Sequence, residues 1–428
     1  MIRRIADNFD LLCTDGEKNC VGLIKNERIS AELSRGLAIG NADVCIDRKA
    51  DIPAGFLSAS FCEDKADISA QKLSLFAPLV GIIAGGVYML GGYGAFFDAL
   101  CTFCAVTLAA LPVTSLLSVN LYLKKECRTL RENGGILSSA AVAEDYSNTQ
   151  VIALDASELF PEGTVQLVNI KSSGTIALDR ALLDAAGVSI AAGGPLANVF
   201  SSIIGNDKNL LPQVDTLIFE EKMGISGWVS GRRVLIGNRE LMDYHGIWVP
   251  DADIIRRYES SGISTVFLSD SGQLSAIFFL KYTADEDIAS ALRAAQDNGL
   301  AFSVRSVDPN VDLKLICRVF GLSEHAVRIM SPSSRQAYNA ALNEEKTPLG
   351  ELVHLFDAGS LSFAVSTCKT VHKRVSFFKF LQTLLVIAGA LASIVFSLSP
   401  DFGALTAGHL LTLQGIWLVI TLLCDGML

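Results

Sequence analysis

The sequence predicts an α-helical transmembrane portion, four helices in two hairpins, carrying an α/β head on the cytoplasmic side. Two observations predict it. Of 428 residues, 50% are apolar and only 19% charged, with a mean hydropathy of +0.40. That is too oily for an ordinary soluble protein of this length. Between the oily stretches, short β-rich runs alternate with amphipathic helical patterns, which calls for a layered sheet covered by helices.

Four stretches, 73–90, 99–123, 380–398 and 405–423, supply the spans. Crossing a hydrocarbon core of roughly 30 Å takes about 20 helical residues. The links GGYGAFFD and SPDFGAL make each pair a hairpin, and Pro112 stands in the middle of the second span. Lys124, Lys125, Arg128 and Arg131 follow that span, and Lys369, Lys373, Arg374 and Lys379 precede the third. Lysine and arginine collect on the cytoplasmic side. Residues 124–376, and the segment 1–72, are therefore expected in the cytoplasm, with the chain integral to the plasma (inner) membrane. Met1 opens a polar stretch with no apolar core behind it, so no secretory signal is expected.

A net charge of −10 argues against nucleic acid as a partner. The ten cysteines form no paired framework, which suits reduced thiols. Cys101 and Cys104 have soft-metal spacing but also suit plain helix packing. The five histidines show no ligand spacing.

In the central segment VQLVNI, TLIFEE, GWVSGRRVLIG and STVFLSD read as strands, while DEDIASALRAAQDNG and VDLKLICRVFG read as helices. The run VIAL delivers Asp155 into a polar turn. Ligand chemistry in parallel sheets sits at the carboxyl ends of strands, which makes Asp155 a candidate.

Two membrane hairpins flanking one α/β insert, with an aspartate at a strand end after the first hairpin, resemble a P-type cation-transporting ATPase. The family pattern D-K-T-G-T-L-T-x-G falls on Asp155-Ala156-Ser157-Glu158-Leu159-Phe160-Pro161-Glu162-Gly163. Further matches follow in family order. Pro112 matches the proline that unwinds the fourth membrane helix, where freed carbonyls can face an ion. GGPLANVFSSII resembles the His-Pro region of the nucleotide-binding domain, with Gly194 in place of the histidine and Pro195 kept. Gly224, Gly231 and Gly237 resemble the glycines of that domain's strands. Ser306-Val307-Asp308 stands where the family has Thr-Gly-Asp, and Arg335 where a phosphate-contacting lysine is expected. Asp357 is the remnant of Gly-Asp-Gly-x-Asn-Asp, and Asp425 matches an ion-binding carboxylate of the sixth helix.

The resemblance implies a division into domains. Residues 1–72 correspond to an actuator-domain remnant, 73–123 to helices three and four, and 376–428 to helices five and six. A haloacid-dehalogenase-like phosphorylation domain would take 124–165 and 262–375, with an α+β nucleotide-domain-like insert over 166–261. The family's first two membrane helices have no counterpart, so the implied partners are the lipid bilayer and another membrane subunit.

Phosphoryl transfer of this kind rests on positioning and charge neutralisation. Asp155 would be the phosphorylated residue, with Ser157, Asp308 and Arg335 in support. Asp155, Asp308 and Asp357 would hold Mg²⁺, Pro195 and the three glycines would hold ATP, and Pro112 with Asp425 would line the ion path. Against this, Ala156 replaces the lysine, Glu158 replaces a glycine beside the phosphate, and Leu159 removes a hydroxyl. Each lost charge-assisted contact costs about 1.5–3 kcal/mol, and roughly 1.4 kcal/mol is a tenfold rate loss. The implied function is a degenerate pseudo-pump serving as scaffold or regulator. The alternative is an active cation transporter forming an aspartyl-phosphate on Asp155 with divergent motifs. ATP and Mg²⁺ are cofactors only if activity is retained.

Overall fold

A computed structural model describes residues 11–14, 20–24, 36–41, 44–48, 59, 62–91, 96–111, 113–174, 176–205, 207–250, 253–343, 352–355, 357–398 and 407–427. Two hairpins come first: β1 (Leu11–Thr14) with β2 (Cys20–Ile24), and β3 (Gly36–Asn41) with β4 (Val44–Arg48). Three helices follow, α1 (Lys65–Leu90), α2 (Phe96–Ala109) and α3 (Val113–Glu132). The Asp64 carboxylate starts α1 by accepting the Asp67 N–H at 2.7 Å. The face of α1 toward α2 is made of Ala77, Gly81, Ala84 and Gly85, while Leu75, Phe76, Leu79, Ile82 and Ile83 are exposed. A Cβ on Gly81 would lie 2.3 Å from Thr107 Oγ1 and 2.8 Å from the Phe103 carbonyl oxygen, so the two backbones nearly touch. Small residues permit such approach between helices in an apolar medium.

The expected span 99–123 is two helices in the structure, ending at Ala109 and restarting at Val113. Pro112, itself outside the described residues, has no N–H to give the carbonyl of Leu108. That oxygen instead accepts from Leu111 N at 3.3 Å and from Gln414 Nε2 at 3.2 Å.

The head opens with β5 (Gly135–Leu137), α4 (Ala140–Ser147), β6 (Val151–Asp155) and the short α5 (Ala156–Leu159). Next come β7 (Val165–Ser172), α6 (Leu178–Ala192), α7 (Pro195–Ile203), β8 (Val214–Glu220), β9 (Gly224–Val229) and β10 (Arg232–Gly237). Then α8 (Arg239–Tyr244), α9 (Asp253–Ser260), β11 (Ser264–Asp270) and β12 (Gln273–Tyr282) complete the inserted unit. Beyond it lie α10 (Glu286–Asp297), β13 (Ala301–Arg305), α11 (Leu313–Phe320), β14 (Val327–Ile329), α12 (Pro332–Asn343) and β15 (Leu352–His354). The chain ends in α13 (Ala358–Leu398) and α14 (Ala407–Met427).

Two sheets organise the head. The first runs β14-β13-β6-β4-β3-β15-β5, with β14, β13, β6 and β4 parallel. Residues 36–48, within the expected actuator remnant over 1–72, supply β3 and β4 to this sheet. Val44, Cys45 and Ile46 pair with Val151, Ile152 and Ala153, and Cys45 is fully buried. A central strand such as β6 needs a hydrogen-bonding neighbour on both edges, and β4 provides one of them.

The second sheet, β7-β12-β11-β10-β9-β8, is antiparallel throughout. It extends the insert from 166–261 to 165–282, because β11 and β12 bridge β10 to β7. Its residues alternate between two cores, as a pleated strand requires. Val234, Ile236, Val266, Leu268 and Phe278 join the large core that also holds Ile152 and Phe302 of the first sheet. Leu235, Phe267, Ile277 and Phe279 pack with Leu241 and Met242 of α8 in a smaller one. Arg232 ties α6 to this sheet, gripping Asp184 at 3.0 and 3.1 Å and touching Asp270.

Among the described residues, α1 and α13 are long and apolar enough to cross a membrane, by length and composition. The apolar parts of α2 and α14 are shorter. Across the boundary expected near 376, α13 runs unbroken for 41 residues, from the head into its apolar half.

Candidate functional site around Asp155

Asp155 stands at the carboxyl end of β6, as its sequence position predicts, and caps α5. Its Oδ1 accepts from Ser157 N at 2.9 Å and Ser157 Oγ at 2.7 Å. Its Oδ2 lies 3.4 Å from Arg305 Nε. Parallel register puts Arg305 directly opposite Asp155, and Arg305 Nη1 also donates to Asn339 Oδ1 at 3.1 Å. Both carboxylate oxygens are thus engaged by the protein.

The residues after Asp155 turn inward. Ala156, Leu159 and Phe160 are fully buried, and the Phe160 ring packs on Tyr282 at 5.4 Å and Phe320 at 5.2 Å. Glu158 is also buried. Where the sequence suggests a polar turn, a helical turn feeds the core.

Asp308 is buried in the loop after β13. Tyr282 OH donates to its Oδ2 at 2.5 Å and Asn310 N to its Oδ1 at 3.0 Å. Burial lifts this carboxyl to about 6, against the opposing pull of those two hydrogen bonds. The same burial, with Asp308 alongside, pushes the Tyr282 phenol up. Asp357 caps α13 by accepting from Ser360 N at 2.7 Å. Arg335 lies in the first turn of α12, its amide bonded to Ser331 O at 2.9 Å and its Nε buried without a hydrogen-bond partner.

Magnesium requires converging oxygen ligands in near-octahedral array. Asp155, Asp308 and Asp357 are each committed to local hydrogen bonds. Among the described residues no three His, Cys, Asp or Glu side chains form a metal-holding group. Asp155, Asp308 and Asp357 do not form such a group.

In the insert, Pro195 is the first residue of α7 and Gly194 precedes it. A Cβ on Gly194 would stand 2.7 Å from Val307 Cγ2, so this turn rests on the loop that carries Asp308. Gly224 and Gly237 face each other across the β9–β10 pair; a Cβ on Gly237 would meet the Met223 carbonyl oxygen at 2.2 Å. Close backbone approach accounts for both, and Gly231 serves the hairpin turn with φ +76°. A cavity of about 270 Å³ lies between 161–167 and α7, walled by Pro161, Val165, Leu167, Pro195 and Val199 with Gln166, Asn198 and Ser202 as polar groups. None of its walls carries a cation to meet a phosphate. The side chains of Pro112 and Asp425 lie outside the described residues.

Arg305, Asn339 and Tyr282 escape a reading of motifs. The one available signal is register: Arg305 ends β13 as Asp155 ends β6, and parallel pairing brings strand ends together.

Paired apolar helices, a partly parallel α/β sheet with an aspartate at a strand end, and an antiparallel unit inserted directly after it define a class. The chain is P-type cation ATPase-like, a partial homologue of those pumps. It is 22% identical over 254 residues to copper-transporting ATPase 2 of Rhizobium meliloti (strain 1021), a match covering 58% of this chain and 30% of that protein. To the silver exporting P-type ATPase of Salmonella typhimurium it is 21% identical over 270 residues, covering 61% of this chain and 32% of the relative. The chain thus matches about a third of the length of these relatives. Among solved structures, a zinc-transporting PIB-type ATPase aligns over 85% of this chain and 67% of its own, at 15% identity and a TM-score of 0.36. No protein-family model matches the chain.

Proposed function

We propose that the chain is an integral membrane protein with a cytoplasmic P-type-ATPase-like head that has lost phosphoryl transfer and serves as a scaffold or regulator. One observation carries this reading: both carboxylate oxygens of Asp155 are already engaged, by Ser157 and by Arg305, while the residues after it are spent on the core. A phosphoryl acceptor needs an uncommitted oxygen and donors aimed at the incoming group. The exposed apolar residues of α1 and α13 support membrane residence, and the placement of basic residues supports a cytoplasmic head.

A second reading has its own support. Arg305 brings a positive charge within 3.4 Å of Asp155, a partial substitute for the missing lysine in an active cation transporter using ATP and Mg²⁺. Acid-stable labelling by γ-labelled ATP with Mg²⁺ separates the two. The expected outcome is no label above that of Asp155→Asn. Label in the wild type that vanishes in Asp155→Asn would overturn the pseudo-pump reading in favour of the transporter.

A further inference from the structure

Tyr122 on α3 and Phe378 on α13 meet at 6.4 Å between ring centroids, which sets the level of these helices against each other. Away from the head the exposed surface is apolar, with Leu121, Phe380, Leu384 and Ile387. Toward the head and at the contact itself lie six cations: Lys124 and Lys125 on α3, and Lys369, Lys373, Arg374 and Lys379 on α13. Among the described residues none of the six is in an ion pair. Glu126 on α3 lies beside Tyr122.

Arg374 is held in place, and Lys369 is partly buried. The Arg374 guanidinium lies over the Tyr122 ring, 5.4 Å from its centroid, and its Nη1 is buried without a hydrogen-bond partner. Lys369 and Lys373 stand one helical turn apart, and burial together with the neighbouring Lys373 pulls the Lys369 ammonium below its ordinary value. Like charges at such spacing repel unless a counter-ion sits between them.

We infer that this collar is a binding surface for the headgroups of anionic phospholipids. It rests on the membrane reading above and adds a ligand class to it. The chemistry matches at both ends: phosphate oxygens complement the cations, and acyl chains complement the apolar belt that begins within one turn. A free phosphate has no use for the belt, and basic residues at the edge of a span attract anionic lipid.

The test uses the full chain in nanodiscs made from mixed phosphatidylglycerol and phosphatidylcholine, with retained lipid counted by native mass spectrometry. Phosphatidylglycerol should be enriched over phosphatidylcholine. The variant Lys124→Gln/Lys125→Gln/Lys369→Gln/Lys373→Gln, with Arg374 left on Tyr122, should lower that enrichment by at least about fivefold. Thermal unfolding checks that the variant stays folded; Lys369→Gln/Lys373→Gln alone replaces it if the four-fold variant does not. Equal retention of the two lipids by the wild type overturns the inference, as does enrichment that survives the substitutions. Loss of enrichment in inorganic phosphate at constant ionic strength also overturns it, pointing to a free-anion site. Release of the chain from native membranes by alkaline carbonate would instead overturn the membrane reading itself, so the two failures are distinguishable.

Discussion

Asp155 and Asp308 are carboxylates in one head with opposite surroundings. Asp155 has a guanidinium opposite and two donors from Ser157, and it stays partly open to solvent. Asp308 has only Tyr282 OH and Asn310 N, and it is buried. Burial disfavours the ionised form, so its carboxyl is raised from 3.8 to about 6. The folded chain then holds a proton that the unfolded chain has released between these values. Stability from this group is therefore fully present below about pH 4 and is lost as pH rises through about 6. A shift of that size corresponds to about 3 kcal/mol. Thermal unfolding of the wild type should become easier from pH 4 to 6.5 relative to Asp308→Asn; parallel pH profiles for the two proteins would argue against it. That an aspartate would stand at each of these positions is written in the sequence. Which one would be solvated and which buried is not, because Tyr282 reaches Asp308 from 26 residues away.

At the scale of elements, the apolar helices follow their composition, and their packing follows a few small residues. Gly81 faces Thr107 and Phe103 at distances that leave no room for a side chain, whereas Gly86, five residues on, has nothing within 4 Å. Gly81→Leu should therefore force α1 and α2 apart and destabilise the chain by about 1–3 kcal/mol. Gly86→Leu, with open space around it, should stay within about 0.5 kcal/mol of wild type. Thermal unfolding of the two variants in one detergent checks this; equal losses would mean that the α1–α2 contact lies elsewhere. The break at Pro112 was legible, since proline withholds the N–H that Leu108 would need. Its repair by Gln414 was not, because that partner is 306 residues distant. The strand run STVFLSD was legible as a strand, but not as part of the insert. Alternation reveals a pleated strand and leaves its neighbours open.

Across the whole molecule, the two sheets share one core. Ile152, Leu154 and Phe302 from the first sheet pack in the same cluster as Val234, Val266 and Phe278 from the second. Phe160 sits near the crossover between them, against Tyr282 of β12 and Phe320 of α11. Thr283 N and Oγ1 both donate to the Thr164 carbonyl oxygen, closing the crossover at 2.9 and 2.8 Å. Phe160→Ala should cost about 3–5 kcal/mol and lower hydrogen-exchange protection in both sheets together. Loss of protection confined to one sheet would show that the halves of the head unfold separately.

The sequence by itself determined what depends on local chemistry. The oily stretches, the alternating strands and the strand ending in Asp155 all follow from residue type and near spacing. Only the tertiary structure decided what depends on distant partners. It put β4 beside β6, extended the insert to Tyr282, set Arg305 opposite Asp155 and kept the three magnesium candidates apart. The physical reason is the reach of the signal. Propensity and periodicity act over a few residues, whereas strand order, burial and charge pairing are settled by segments tens to hundreds of residues apart.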